Sequence, residues 1–203
     1  MYWTEVLGYR MPKPVGGHPA LDFCDTYAGW NGPPLPRGEW LPDYDQLTVF
    51  TVHAGLVSAE DAAPVRELGA DLPAEAAKVL DTARALRANL YAVLLDPGDA
   101  KAFGVVAGLA AEAAAHAELV SGDDGVAHWR IPSAVELELP LRLLAQSAAE
   151  LLCSPDRAHV RACPGDECGW LFLDRRGRRR WCNMATCGNR AKVRAFEERR
   201  RDG

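Results

Sequence analysis

Four of the six cysteines fall into two pairs of equal spacing, Cys163-x4-Cys168 and Cys182-x4-Cys187, with thirteen residues between the pairs. Nothing else in the chain restricts its fold so tightly. A tetrahedral zinc site needs four ligands at about 2.3 Å from one ion, and two short turns can each deliver two of them. Two disulfides would suit an oxidising compartment, and iron–sulfur clusters of the common ferredoxin types use other spacings. Redox chemistry usually employs Cys-x-x-Cys, which does not occur in the chain. Four thiolates leave no open coordination position, so the expected cofactor is one structural Zn2+.

The residues around these pairs suggest how they come together. Pro164 and Gly165 suit a tight knuckle, and Trp170-Leu-Phe-Leu173 resembles a strand. Arg176-Gly177-Arg178 can turn, so that Arg179-Arg180-Trp181 returns as a second strand. From about Ala185 to Phe196 the pattern suits a helix with Cys187 in its first turn. Knuckle, hairpin and helix in that order predict a treble-clef-like finger. With so few apolar side chains, a segment of this size would depend on metal-binding energy of order 10 kcal/mol to fold.

Charge divides the chain at the same place. Residues 157–203 carry 13 Lys+Arg against 6 Asp+Glu, a balance of +7, whereas the rest carries −12, within a total of −5. The averaged charge would hide this asymmetry, which points to a polyanionic partner for the basic end or to docking of that end on the acidic body.

The body, taken as residues 1–154 with the finger at 155–203, is mainly helical by periodicity. Leu47, Phe50, Ala54 and Val57 recur at helical spacing after Asp43, a suitable N-cap. Ser58-Ala-Glu-Asp61 resembles a capping box opening a short helix. Ala76, Val79, Leu80, Ala83, Leu86 and Leu90 form the stripe of a long helix over about 73–95, and an alanine-rich helix is predicted over about 99–117. Glu-Leu-Val-Ser-Gly-Asp-Asp-Gly-Val-Ala-His-Trp predicts one β-hairpin turning at Gly122–Gly125, and a last helix starts near Pro140 and runs to about Leu152. Residues 1–42 are rich in Gly, Pro and aromatics: Val15-Gly-Gly-His-Pro-Ala-Leu-Asp-Phe23 reads as a turn leading into a short helix or strand, and the four-proline stretch from Trp30 to Asp43 as an ordered loop. The fold class is therefore mainly α, a helical domain with a small hairpin plus the zinc finger. Cys24 and Cys153 are expected to be buried thiols.

Cys-Gly-Asn-Arg at 187–190, with Arg-Arg-Trp-Cys at 179–182, Phe-Leu-Asp at 172–174 and Ala-Lys at 191–192, resembles the CGNR zinc finger. Gly16-Gly-His-Pro-Ala-Leu-Asp-Phe23, the Trp/Pro-rich loop after it and Ala85-Leu-Arg87 resemble the ABATE domain that normally precedes this finger. The family phrase is usually Leu-Asp-Phe-x-Asn-Thr, and here Asp25 stands in place of that Asn. Such proteins are described as bacterial stress-induced transcription regulators. The resemblance implies a DNA-binding finger tethered to a domain that senses something.

On that basis the residues expected to meet nucleic acid are Arg175, Arg176, Arg178, Arg179 and Arg180 around the hairpin, with Asn189, Arg190, Lys192 and Arg194 on the helix. The alternative for Gly188, Asn189 and Arg190 is structural: close backbone approach to the metal, a brace for the knuckle, and a pair with Asp174. No hydrolase, Walker or Rossmann signature is present, so no enzyme is expected. In the body, His18 and Asp22 are the weak candidates for a ligand-contacting pair, against the commoner packed turn. Trp30, Trp40 and Trp129 are candidates for a pocket, a core or a dimer interface. No apolar run reaches membrane-spanning length and the first residues lack a signal-peptide pattern, so a cytoplasmic protein is expected. The leading function is DNA-binding regulation, with a homodimer and a small-molecule effector as further partners. The alternatives are a protein-interaction module, or a ligand-binding protein or enzyme whose pocket lies in the body.

Overall fold

The computed structural model describes residues 3–33, 35–36 and 38–201. The chain begins with a hairpin, β1 (Trp3–Val6) and β2 (Tyr9–Pro12), paired antiparallel with Val6 opposite Tyr9. Its two-residue turn needs φ > 0 at both positions, and Leu7 and Gly8 adopt φ of 48° and 84°. A leucine there carries no turn signal, so this hairpin was not anticipated.

Helix α1 (Pro19–Cys24) is only six residues long, yet Ala20, Leu21, Phe23 and Cys24 are fully buried. The expected helices follow: α2 (Tyr44–His53), α3 (Ala59–Asp71), α4 (Pro73–Leu95), α5 (Ala100–Ala115) and α6 (Leu139–Cys153). Their starts obey the capping chemistry. Asp43, Ser58 and Asp99 each accept a bond from the backbone N–H three residues on, filling donors that a first turn leaves free. Helix α3 is longer than the short helix expected from its cap. It also runs through Pro64, which lies inside the helix and removes one intrahelical N–H donor.

The predicted hairpin forms as β3 (Glu118–Ser121) and β4 (Ala127–Arg130). It leans on the body lightly: Leu119 and Trp129 face each other in the register and are 59% and 58% exposed. Among the described residues Cys153, at the end of α6, is exposed, which corrects its assignment as a buried thiol. Cys24 is fully buried, as expected. The apolar stripe of α6 ends at Leu151, so the following residues turn outward.

The core lies where α1 meets α4 and α6, with α2 and α5 packed alongside. Phe23 and Phe50 touch with centroids 5.9 Å apart, and Leu86, Leu90, Leu144 and Leu151 fill the centre. Beyond α6 a 3-10 turn at Pro155–His159 leads into β5 (Val160–Ala162), which pairs antiparallel with β6 (Leu171–Leu173). A π-helical turn at Met184–Gly188 then opens α7 (Asn189–Arg201).

The pairing of β6 differs from expectation. Its partner is Val160–Ala162, and Arg179–Trp181 form no strand. The reason is the two-faced burial of β6. Leu171 and Leu173 point into the body core, while Phe172 and Trp170 join the cysteines in a second apolar cluster. Such a strand is best continued by a neighbour that also has a residue to bury, and Val160 supplies one at 7% exposure. In the arginine segment Trp181 is only partly buried, against the second cluster, and Arg180 is exposed.

Candidate metal centre

The β5–β6 hairpin carries the first cysteine pair at its tip. Cys163 follows β5 directly and its N–H donates to Trp170 O at 2.8 Å, while Cys168 turns back toward β6. Gly165 makes this knuckle possible: a Cβ there would lie 3.2 Å from Cys187 Sγ and 3.3 Å from Cys187 Cβ. Glu167 takes φ of 58° to complete the turn. The second pair arrives on the π-helical turn, with Asn183 capping it by accepting from Ala185 N at 2.7 Å.

All four Sγ atoms lie within 4.8 Å of one another, with Cys168–Cys182 and Cys182–Cys187 separations of 3.6 Å. Four sulfurs at about 2.3 Å around one tetrahedral ion would be about 3.8 Å apart, so the donor set fits Zn2+ in type, number and spacing. Three of the four sulfur-bearing side chains are buried and Cys168 is partly exposed. Their crowding splits their acidities. Hydrogen bonds with Cys168, Cys182 and Cys187 hold the Cys163 thiol far below its ordinary value, and those with Cys163, Cys168 and Cys187 push Cys182 far above. A cluster of this kind becomes fully ionised only when a cation offsets its charge.

The alternative, structural reading of Gly188 was close backbone approach to the metal. Instead it clears space for Met184 and Trp181, whose Sδ and Cδ1 would lie 2.5 and 3.3 Å from an added Cβ. Asn189 donates to Ala185 O at 3.3 Å, bracing the turn that carries Cys187. Arg190 makes no ion pair with Asp174 among the described residues; that carboxylate instead accepts from the Arg178 backbone N–H at 2.9 Å.

The arginines divide into two groups. Arg179 is half-buried. Its guanidinium donates to Val15 O at 2.6 Å and to the carbonyls of Trp181 and Cys182, and it lies over the Phe172 ring at 4.5 Å. It ties the second cysteine pair to the body. Arg175 forms a two-point pair with Asp156, and Arg194 pairs with Asp166. Arg176, Arg178, Arg180, Arg190 and Lys192 are exposed and form no ion pair among the described residues, although Arg180 covers the Trp181 ring at 5.1 Å.

The finger is fastened to the body through aromatic side chains. Trp30 stacks on Tyr91 at 3.9 Å and 6°, and Tyr91 Oη donates to Gly169 O at 2.8 Å. Trp170 Nε1 donates to Tyr27 O, and Asn31 Nδ2 to Cys163 O, both at 3.0 Å. Gly169 admits this approach, since a Cβ there would meet Trp30 Cβ at 2.6 Å. Asp25 is buried, and its Oδ1 accepts from Leu171 N at 2.7 Å, while Oδ2 has no partner. Burial pushes its carboxyl well above the usual range. Beneath the loop, Arg87 forms a two-point pair with Glu39 and donates to Thr26 Oγ1 at 2.8 Å. The sequence reading did not single out these contacts, apart from Arg87 within the Ala-Leu-Arg match; two-residue polar pairs far apart in the chain leave no periodic signal.

His18 and Asp22 are both turn-builders. His18 is the N-cap of α1, its Nδ1 accepting from Ala20 N at 3.2 Å, and Asp22 Oδ1 accepts from Val15 N and Gly16 N at 2.8 Å. Of the three tryptophans proposed for a pocket, Trp30 is stacked in the interface and Trp129 sits on the exposed hairpin. Trp40 lines a cleft beside the cysteines.

Two family models match the chain. One is ABATE, described as "Putative stress-induced transcription regulator", over residues 17–155; the other is the CGNR zinc finger, over residues 159–200. No curated protein matches. With the first match covering most of its length and the second covering the cysteine knuckle and α7, the chain belongs to the ABATE family and carries a CGNR zinc finger.

Proposed function

We propose that the protein is a DNA-binding transcription regulator that grips phosphates through its finger, with one structural Zn2+ bound by Cys163, Cys168, Cys182 and Cys187. The observation that carries this reading is the set of exposed cations, Arg176, Arg178, Arg180, Arg190 and Lys192, without ion-pair partners among the described residues on a finger where Arg175, Arg179 and Arg194 are engaged. Arg199, Arg200 and Arg201 extend the basic surface along the last turn of α7. The acidic body repels DNA, so contact is confined to the finger face. Zinc supplies the link that holds the two cysteine turns together, and the protein's role is binding rather than catalysis. No helix among the described residues is long and apolar enough to cross a membrane.

The body, in this reading, senses an effector or pairs two copies. The surface suited to pairing is the β3–β4 hairpin. Gln146 Nε2 donates to Trp129 O at 2.6 Å and so covers the outer edge of β4, whereas among the described residues no strand pairs with the outer edge of β3, beside Leu119. An open strand edge with exposed apolar neighbours is self-complementary.

The test is fluorescence polarisation of zinc-loaded protein with duplex DNA over a range of salt. Binding is expected to weaken steeply with salt. An Arg176/Arg178/Arg180→Ala variant should flatten the log–log slope by about 2.7, from about 0.9 per lost phosphate contact. An unchanged slope in that variant, or no binding at low salt with full zinc content, rules the reading out. The competing reading, a finger that serves as a docking element for the body, draws on Arg179–Val15 and Arg175–Asp156 and predicts that second result.

A further inference from the structure

Where the finger meets the N-terminal hairpin, a cleft of about 290 Å³ opens between Trp3, Trp40 and Trp170 on one side and Glu167, Cys168 and Arg190 on the other. The three indoles form a chain of near-perpendicular contacts. Trp3 and Trp40 meet at 81° with centroids 5.0 Å apart, and Trp40 and Trp170 at 86° and 5.5 Å. In each contact the edge of one ring lies against the face of the other, and all three rings border the cleft. The faces of such rings carry negative electrostatic potential and attract cations, most strongly for tryptophan. Trp3 already shows this preference: the guanidinium of Arg10, which is outside the cleft lining, lies 4.8 Å from its ring centroid.

The remaining wall adds negative charge. Glu167 forms no ion pair among the described residues, and it shares the rim of the cleft with Arg190. Cys168, Cys182 and Cys187 also line the cleft, and four thiolates around one Zn2+ carry a net −2. A small anion would have to sit against that charge. A soft cation with a greasy surface has both aromatic faces and a negative wall to meet.

We propose that this cleft binds a small quaternary or alkylated ammonium compound, with Trp3, Trp40 and Trp170 as its cage and Glu167 as its counter-charge. The cleft is at the low end of the size range of small-molecule sites, so it suits a headgroup of a few carbons rather than a long chain. Its position gives such a ligand contact with both the body and the finger. The proposal does not depend on DNA binding, and the experiment leaves DNA out.

Isothermal titration calorimetry of the full-length, zinc-loaded protein against choline chloride tests it, with a neutral alcohol in which carbon replaces the nitrogen as comparator and benzoate as the anionic control. Choline is expected to saturate a single site, with the neutral isostere about tenfold weaker, since the shapes match and only the charge differs. Trp3→Ala, on a half-exposed strand, should weaken choline by about tenfold, and Glu167→Gln by about threefold, with zinc content and helical circular dichroism unchanged. Equal affinity for choline and its neutral isostere would leave only an apolar cleft and overturn the proposal. So would saturable binding of benzoate in place of choline, or the absence of choline binding to the wild-type chain.

Discussion

Arg179 and Arg176 are close in the sequence and opposite in role. Arg179 spends its donors on Val15, Trp181 and Cys182 carbonyls, so Arg179→Ala leaves buried acceptors unsatisfied at the seam between the cysteine turn and the body. We expect this substitution to lower Tm and to weaken zinc retention against a competing chelator, while Arg176→Ala changes neither. A variant that removes both would confuse folding with recognition. Asp25 makes a second prediction at this scale. Because burial raises its carboxyl, the native state keeps a proton that the unfolded chain releases, and stability contributed at low pH is lost as pH rises above the unfolded value of about 3.9. Asp25→Asn keeps the acceptor for Leu171 N and removes the ionisation, so its advantage over wild type should be small at about pH 4 and should grow toward about pH 8 in urea titrations. Parallel stability curves would show that Asp25 ionises freely. For Arg87→Ala, loss of a buried guanidinium from its Glu39 and Thr26 partners is expected to cost roughly 2–4 kcal/mol, read as a shift in the urea midpoint.

Among the elements, α1 and β6 organise the molecule although both are short. Neither would persist alone, since a six-residue helix and a three-residue strand are far below independent stability. Each is held by burial on more than one side. Helix α1 is capped by His18 and sandwiched by α4 and α6. Strand β6 sends Leu171 and Leu173 into the body and Phe172 into the finger. Tyr91 on α4 fixes the height at which the finger docks. Tyr91→Phe keeps the stack on Trp30 and removes the bond to Gly169 O, so a loss of about 1 kcal/mol is expected, with faster hydrogen exchange at the knuckle amides. If knuckle exchange is unchanged, the docking height is set by Trp170 and Asn31 instead.

At the scale of the whole molecule, the finger and the body share one core. Val160, Leu171 and Leu173 lie in the same apolar cluster as the centre of the helical body. The finger is thus built into the body, although its charge makes it read as a tethered appendage. Removing zinc should therefore destabilise more than the finger. Chelation, or Cys182→Ala, is expected to lower the Tm of the helical circular-dichroism signal as well as the local signal of Trp170 and Trp181. A helical transition that keeps its Tm after chelation would show that the body folds without the finger.

The sequence by itself determined the features governed by local chemistry. The equal spacing of four cysteines gave the metal donor set, because two tight turns are the economical way to bring four thiolates together. Apolar periodicity gave α2, α4, α5 and α6 to within a few residues, with caps at Asp43 and Asp99, and the cap at Ser58 gave the start of α3 but not its length, because those signals repeat within one turn of helix. Only the tertiary structure decided the strand partner of β6, the N-terminal hairpin, the exposure of Cys153 and the division of the arginines. Each of these depends on what a side chain finds across the fold. A guanidinium written among five in the sequence looks the same whether it faces water or three backbone carbonyls. The tryptophan cleft belongs to the same class, since Trp3, Trp40 and Trp170 meet only when the finger closes against the first strand.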